Sequence, residues 1–311
     1  MRIIFFGTAE FAVGSLKALA NSRHEVVCVI TQPQRKKGRG LKLAKSPVEE
    51  YAITKLLEVL EFDDVNSSTS IKTLKDKDAD LFVVAAFGQI MKEETLKIPK
   101  LYSINIHASL LPRHRGASPI QRAILSGDKK TGITIMAMNT FLDQGDIIST
   151  KEVKIEPDDD AISLGGRLSR CAAELIIKTI DKIEIGNIKL ISQDDSKATY
   201  APKLTKEDGL IDWNVTAQEV INKIRACRPW PSAYTHFNGK LLKILDAEKD
   251  LSPLKSEAVP GEVILSSKDE LLIACKNSSI RIKALQLEGK KPLKTDEFLR
   301  GHNIEPGIVL G

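Results

Sequence analysis

The stretch SINIHASLLPRHRGASPIQ, Ser103 to Gln121, decides how the rest of the chain is read. It opens as a short apolar strand, Ser103 to Ile106, and Asn105 and His107 lie two apart. The period of two in an extended chain turns both side chains to the same side, so an amide and an imidazole share one strand end. Ser109-Leu-Leu-Pro112 and then Arg113 to Gly116 follow as an irregular polar loop, before a helix that Ser118-Pro119 can open. In an open α/β sheet, ligands gather in the crevice beyond the carboxyl ends of the strands, which makes this loop a candidate site. Taken alone, an N-x-H pair fits equally well a buried strand whose polar groups bond their neighbours.

The flanking chain supplies the sheet. Arg2 to Phe6 is an apolar run ending at Gly7, Glu10 to Ala20 carries apolar residues at helical spacing with Thr8 as its expected N-cap, and Glu25 to Thr31 is a second β-branched run. That is a βαβ unit, for which a right-handed parallel crossover is the rule. Gly7 stands without a G-x-G-x-x-G fingerprint, so a dinucleotide-dependent dehydrogenase is not supported. Pro47 to Leu60 and Ser70 to Lys77 read as helices, and Asp80 to Ala86 as a buried central strand. Pro119 to Ser126 reads as a helix stopped at Gly127-Asp128, Thr131 to Met138 and Asp146 to Ile155 as strands, and Asp160 to Ile185 as a long helix weakened by Gly165-Gly166. Asp143 falls in the loop between those two strands, where Asp and Gly also serve ordinary turn chemistry.

Composition sets the class. The chain has 311 residues, 42% hydrophobic and 28% charged, enough for two cored domains and a solvated surface. No apolar run approaches the ~18 residues of a membrane-spanning helix, and no export signal precedes the first strand, so a cytoplasmic location is expected. Cys28, Cys171, Cys227 and Cys275 are far apart, with no C-x-x-C, and the five histidines lack metal-ligand spacing. Reduced core thiols and no metal are therefore expected. The formal charge of +5 only permits an acidic partner. A local concentration is more informative. Gln32 to Gly40 packs Arg35, Lys36, Lys37 and Arg39 around two glycines, which reads as an irregular surface loop able to meet phosphate or simply to face water.

The domain boundaries expected are 1–187 for the α/β domain, 188–207 for a polar linker, and 208–311 for a smaller domain. Thr216 to Ala226 reads as a helix in the latter, and Ala233 to Phe237, Leu241 to Leu245, Gly261 to Leu265, Leu271 to Ala274 and Ile280 to Leu285 as short strands, which suggests a small barrel.

N-x-H-x-S-L-L-P-x-x-R-G with the later L-D-x-G-D resembles the motifs of the folate-dependent formyltransferases. The resemblance extends over nearly the whole chain: Phe6-Gly7-Thr8 with Phe11, the basic loop from Gln32 to Gly40, Ser46-Pro-Val48, Tyr200 to Leu204, Ile211-Asp-Trp213, and Ile224 to Ala226 with Arg228 to Pro231. The basic loop, Pro119-Ile-Gln121 and the C-terminal part narrow it to the members that act on tRNA-borne methionine. Two positions depart from the family pattern, Phe141 where a glycine usually precedes Leu-Asp, and His114 where many relatives carry Trp.

The resemblance implies a Rossmann-like formyltransferase domain with a mostly parallel sheet, followed by an OB-like β-barrel. It implies 10-formyltetrahydrofolate as formyl donor, no metal, and the methionine α-amine on initiator tRNA as acceptor, handled by a monomer. Asn105 would donate to the oxyanion of the tetrahedral intermediate, His107 would supply a second donor, and Asp143 would hold His107 and help move protons. Ser109, Leu110, Leu111 and Pro112 would lie along the folate, with Gln89, Ile90 and Met91 forming part of the pteridine pocket. Arg39, aided by Arg35, Lys36 and Lys37, would enter the acceptor stem, and Lys290, Lys291 and Lys294 would give a local basic patch on the C-terminal domain. The rival readings are the same chemistry on another amine, a purine precursor or an amino sugar, and an RNA-binding relative without activity.

Overall fold

The computed structural model of the chain describes residues 1–37, 42–250, 252 and 258–311. Its contacts divide the chain into two units that interleave along the sequence, one of residues 1–119, 130–155 and 164–202, the other of residues 120–129, 156–163 and 203–311.

In the first unit, β1 (Arg2–Gly7), α1 (Glu10–Ala20) and β2 (Glu25–Thr31) form the expected opening βαβ. They are followed by β3 (Arg35–Lys37), β4 (Lys42–Ala44), α2 (Pro47–Thr54), β5 (Val59–Glu61), α3 (Ser68–Asp76), β6 (Leu81–Ala85), α4 (Glu93–Leu96) and β7 (Tyr102–His107). After the helix α5 (Pro119–Leu125), β8 (Lys130–Ala137) and β9 (Ile147–Lys154) complete a seven-stranded sheet of order β5-β2-β1-β6-β7-β8-β9. Its first five strands are parallel, and β8 and β9 are antiparallel additions. The central parallel strands β1 and β6 are buried on both faces, which explains their near-continuous apolar runs: Ile3 to Phe6 and Leu81 to Val83 are wholly buried. The strand order reverses between β1 and β6, and β7 lies beside β6, so the candidate loop leaves the sheet next to its switch point.

Three local readings of the sequence are corrected. Thr8 does not cap α1; Ala9 is the N-cap, and the Thr8 hydroxyl instead donates to the Phe87 carbonyl, tying the ends of β1 and β6. The helix expected to reach Leu60 ends at Thr54, because Leu56 takes a left-handed backbone (φ 55°) and Leu57 N–H closes back on the Ala52 carbonyl. Val59–Glu61 is then free to become the edge strand. The basic segment, read as an irregular loop, contains two short strands, since β3 and β4 pair as an antiparallel hairpin with Arg35 opposite Ala44. Residues 38–41, and with them Arg39, lie outside the described residues.

The long helix α6 (Ala161–Glu184) runs unbroken through Gly165-Gly166. The second unit contains α7 (Ala217–Ala226), opened by a reciprocal Thr216–Glu219 capping box. Its strands β10 (Ala233–Phe237), β11 (Lys240–Asp250), β12 (Val263–Ser266), β13 (Leu271–Cys275), β14 (Ser278–Leu287) and β15 (Leu293–Lys294) form one antiparallel sheet of order β10-β11-β14-β13-β12, with β15 on β14. Val220 and Ile224 of α7 enter its core with Trp213, Phe237 and Ile282. Residues 120–129 and 156–163 join this unit through charged side chains. Arg122 pairs with Asp208 at 3.0 Å, and Arg225 donates to the carbonyls of Glu156 and Pro157. All four cysteines are free and buried. Among the described residues no helix is long and apolar enough to cross a membrane.

One buried histidine gives the first unit a pH-dependent stability. His24 is 6% exposed, its Nδ1 accepts from the Met1 ammonium at 3.3 Å, and its Nε2 lies 3.4 Å from Asp181 Oδ1. Burial, reinforced by the ammonium and Arg23, lowers its pKa below 6.5, against the opposing pull of Glu184 and Asp181. The folded protein therefore binds fewer protons here than the unfolded chain, so the stability is present above pH 6.5 and is lost as pH falls through the folded value. Denaturant midpoints followed from neutral pH to about pH 5 should fall less steeply for His24→Gln than for the parent; parallel curves would remove His24 from the account.

Candidate active site

The site is built from the carboxyl end of β7 outward. Parallel pairing with β6 sets Asn105 opposite Val84, and antiparallel pairing with β8 sets His107 opposite Thr134. The extended backbone delivers both side chains to one side, as the sequence implied. Asn105 is half-buried and His107 is buried. Asp143, on the loop between β8 and β9, meets both. Asn105 Nδ2 donates to Asp143 Oδ1 at 3.2 Å, and His107 Nδ1 lies 3.6 Å from Asp143 Oδ2. The backbone N–H of Gly116 donates to the same Oδ2 at 2.8 Å.

His107 Nε2 is 2.9 Å from the His114 carbonyl oxygen, which can only accept. The ring therefore carries a proton on Nε2, and Nδ1 is the nitrogen that faces the carboxylate. A proton on Nδ1 turns the contact with Asp143 into an ion pair. At the position of the His114 departure the residue is buried, with φ 59°, and it is the backbone carbonyl, which any residue there would supply, that orients the imidazole. The departure at Phe141 has little structural consequence. Phe141 is 65% exposed, and the left-handed residue of the loop is Asp143 itself, at φ 53°, a conformation that aspartate tolerates better than most.

The loop after β7 is pinned from two sides. Thr134 Oγ1 accepts from Leu111 N–H and donates to the Ser109 carbonyl, while Ser109 Oγ donates to the Arg113 carbonyl. On its far side the segment 199–201 runs alongside it: Arg115 N–H donates to the Thr199 carbonyl, Ala201 N–H to the Arg115 carbonyl, and Ser118 N–H to the Ala201 carbonyl. Of the expected folate residues, Ser109 and Leu111 are buried, Leu110 and Pro112 are half-buried, and Ile90 is 76% exposed beyond β6. Gln89 spends its side chain on the backbone of Val65 and Phe62, and Met91 is buried in the core with Phe6, Phe82 and Phe87. Nothing is described of the side chains of Arg35, Lys36 and Lys37.

Several residues at the site were not singled out from the sequence. Thr134 looked like one more β-branched strand residue. Arg115, 2% exposed, donates to Gln193 Oε1 from Nε at 3.1 Å and from a terminal nitrogen at 2.8 Å, and pairs with Asp195 at 2.6 Å. Gln193 Nε2 in turn donates to the carbonyls of Asp143 and Gly145. A polar stretch such as Gln193 to Lys197 reads as linker, and its partners fifty residues upstream leave no local signal. Among the described residues no cluster of three His, Cys, Asp or Glu side chains could hold a metal ion.

An amide and an imidazole at a strand end, met by a carboxylate from a neighbouring loop, can stabilise a developing oxyanion and relay a proton, the requirements of acyl transfer to an amine. Comparison with known proteins agrees. The formyl transferase family model matches residues 1–180, and the model of the formyl transferase C-terminal domain matches residues 203–303. The chain is 45% identical over 311 residues to the methionyl-tRNA formyltransferase of Caldanaerobacter subterraneus subsp. tengcongensis, covering 100% of both chains. It is 43% identical over 311 residues to that of Geobacter metallireducens, covering 100% of this chain and 99% of the other. Among solved structures, the sugar 3N-formyl transferase WlaRD, crystallised in the presence of dTDP and 5-N-formyl-THF, superposes with a TM-score of 0.67 at 21% identity, covering 94% of this chain and 99% of that one. At that identity the likeness is one of fold.

Proposed function

The chain belongs to the methionyl-tRNA formyltransferases, and on that premise we propose that Asn105, His107 and Asp143 carry out the transfer of a formyl group from a folate donor to the α-amino group of methionine on tRNA. The observation that carries this reading is the meeting of the three side chains at the carboxyl end of β7, in a chain alike from end to end to enzymes named for that reaction. The donor is 10-formyltetrahydrofolate, which supplies an electrophilic formyl carbon on a nitrogen able to leave. Half-buried Leu110 and Pro112 and exposed Ile90 fit a flat, partly apolar ring between two strand ends.

The acceptor amine has a pKa near ~8 and is partly neutral at working pH. Its nitrogen attacks the formyl carbon, the carbonyl electron pair moves to oxygen, and the second N–H of the Asn105 amide stabilises the oxyanion; the first is held by Asp143. The attacking nitrogen then gives up a proton, and the leaving nitrogen takes one, as the carbon–nitrogen bond to the donor breaks. Asp143, whose carboxylate faces His107 Nδ1, forms with that imidazole the pair placed to accept and return the proton, directly or through water. Because Nε2 is bound to the His114 carbonyl, any donation by His107 to the oxyanion comes from Nδ1 once it is protonated.

The folate-side chemistry falls to residues 1–187 and tRNA binding to 208–311, with Arg39 at the acceptor stem. The enzyme works as a cytoplasmic monomer selective for the initiator. The deciding experiment is a formyl-transfer assay with purified protein, comparing charged initiator tRNA, charged elongator tRNA and free methionine. Formylation of the initiator alone supports the reading; transfer to none of them, with folate bound, refutes the acceptor. Arg39→Ala is expected to weaken charged-tRNA affinity at low salt and to reduce the salt slope by about one phosphate contact. Unchanged affinity would take Arg39 out of tRNA recognition.

A further inference from the structure

We infer that Gln193 is the positioning residue of the reaction: its amide, oriented by buried Arg115, holds the Asp143 loop in the conformation that aims the carboxylate at His107. This rests on the functional reading given above.

The geometry leaves the amide one orientation. Arg115 has donors only, and two of its nitrogens converge on one end of the Gln193 side chain at 3.1 and 2.8 Å. That end must be the oxygen, so the NH2 end points at the loop. Its two hydrogens then match two acceptors, the Asp143 carbonyl at 2.9 Å and the Gly145 carbonyl at 2.8 Å. The two peptides held, 143–144 and 145–146, lie on either side of Gln144-Gly145 and follow directly after Asp143, whose left-handed φ of 53° is uncommon for any residue other than glycine. Arg115 itself cannot drift. Its side chain is buried, its second partner is Asp195 at 2.6 Å, and its backbone is bonded on both sides to the 199–201 segment. The chain of contacts therefore runs from a rigid loop through one amide to the backbone of a candidate catalytic residue. Asp143 Oδ2 reports the result, since it must reach Gly116 N–H and His107 Nδ1 together.

The test uses Gln193→Glu and Gln193→Met in the full chain. Glutamate still accepts from Arg115 but cannot donate, and it sets a carboxylate against two carbonyl oxygens; methionine removes both functions without adding charge. For both variants kcat is expected to fall between about 10- and 100-fold, with the KM values for charged tRNA and folate donor little changed, because binding surfaces are untouched while alignment is lost. The Gly116 amide, whose acceptor is Asp143, should lose hydrogen-exchange protection relative to β7 amides. Unchanged kcat and unchanged Gly116 protection overturn the proposal. So does a loss explained wholly by the unfolded fraction, with normal kcat per folded molecule, or failure of both variants to fold. If the parent protein itself transfers no formyl group to methionyl-tRNA, the functional reading fails, and Gly116 protection alone then decides whether Gln193 holds the loop.

Discussion

Replacement of Asn105 by alanine is expected to lower kcat for formyl transfer about 10²–10³-fold while leaving a folded protein. The amide is a neutral, permanently available donor at the end of β7, and half of its donating capacity is already committed to Asp143 Oδ1 at 3.2 Å. That commitment fixes its rotamer, so the remaining N–H needs no reorganisation when negative charge develops on the formyl oxygen. The same N–H gains little from an uncharged carbonyl in the ground state, so the loss should fall on kcat rather than on the KM for either substrate. Folding should tolerate the change. Asn105 is only half-buried, its backbone ladder to Val84 and Met136 is unaffected, and Asp143 keeps the Gly116 N–H. Steady-state kinetics with charged initiator tRNA, read beside the thermal midpoint, tests this. A near-normal kcat would take Asn105 out of the oxyanion role and leave it as a strut for Asp143.

How much of this was legible in the sequence follows from what each signal depends on. The central strands were readable because burial on both faces demands continuous apolar runs, and Leu81–Ala85 is such a run. Asn105 and His107 were readable as a pair because strand periodicity is local, and the family motif then added Asp143. Val59–Glu61 was hidden because its strand is three residues long, and the preceding helix is ended by Leu56 in a conformation usually given to glycine. Strands suggesting a small barrel were anticipated in the second unit, yet the length of two of them was not, since β11 and β14 run on past their apolar cores through charged residues such as Glu248 and Arg281 that pair across the ladder. Gln193 was invisible, and Arg115, though part of the quoted motif, had no readable role, for a different reason. Their significance lies in backbone carbonyls far away in the chain, and no composition or spacing rule encodes a contact between a linker-like glutamine and a turn.

The largest loss of stability is expected at Gly145, where alanine should cost about 3 kcal/mol or more and deplete soluble protein. A Cβ at Gly145 would lie 1.7 Å from the Ala137 carbonyl oxygen and 2.8 Å from its carbon. Neither atom belongs to a side chain that can swing away. Both are main chain at the end of β8, a strand paired on one edge with β7 and on the other with β9, and Ala137 N–H is itself bonded to the Asp146 carbonyl at 2.9 Å. Relief therefore requires the 139–146 loop to lift off the strand. Lifting it breaks the Gln193 contacts to Asp143 and Gly145 and carries the Asp143 carboxylate away from His107, so whatever protein folds should also be poorly active. A contrasting substitution separates the steric effect from the loss of glycine as such. Gly166 sits exposed within α6, and the nearest atom to a Cβ there is the Arg170 guanidinium, 3.8 Å away. Gly166→Ala should raise stability by about 0.5–1 kcal/mol, because alanine loses less backbone entropy than glycine in a helix. Denaturant unfolding of both variants tests the pair. A Gly145→Ala protein as stable as the parent would mean that the loop has room to move, and with it the basis for holding Asp143 in a single conformation would be gone.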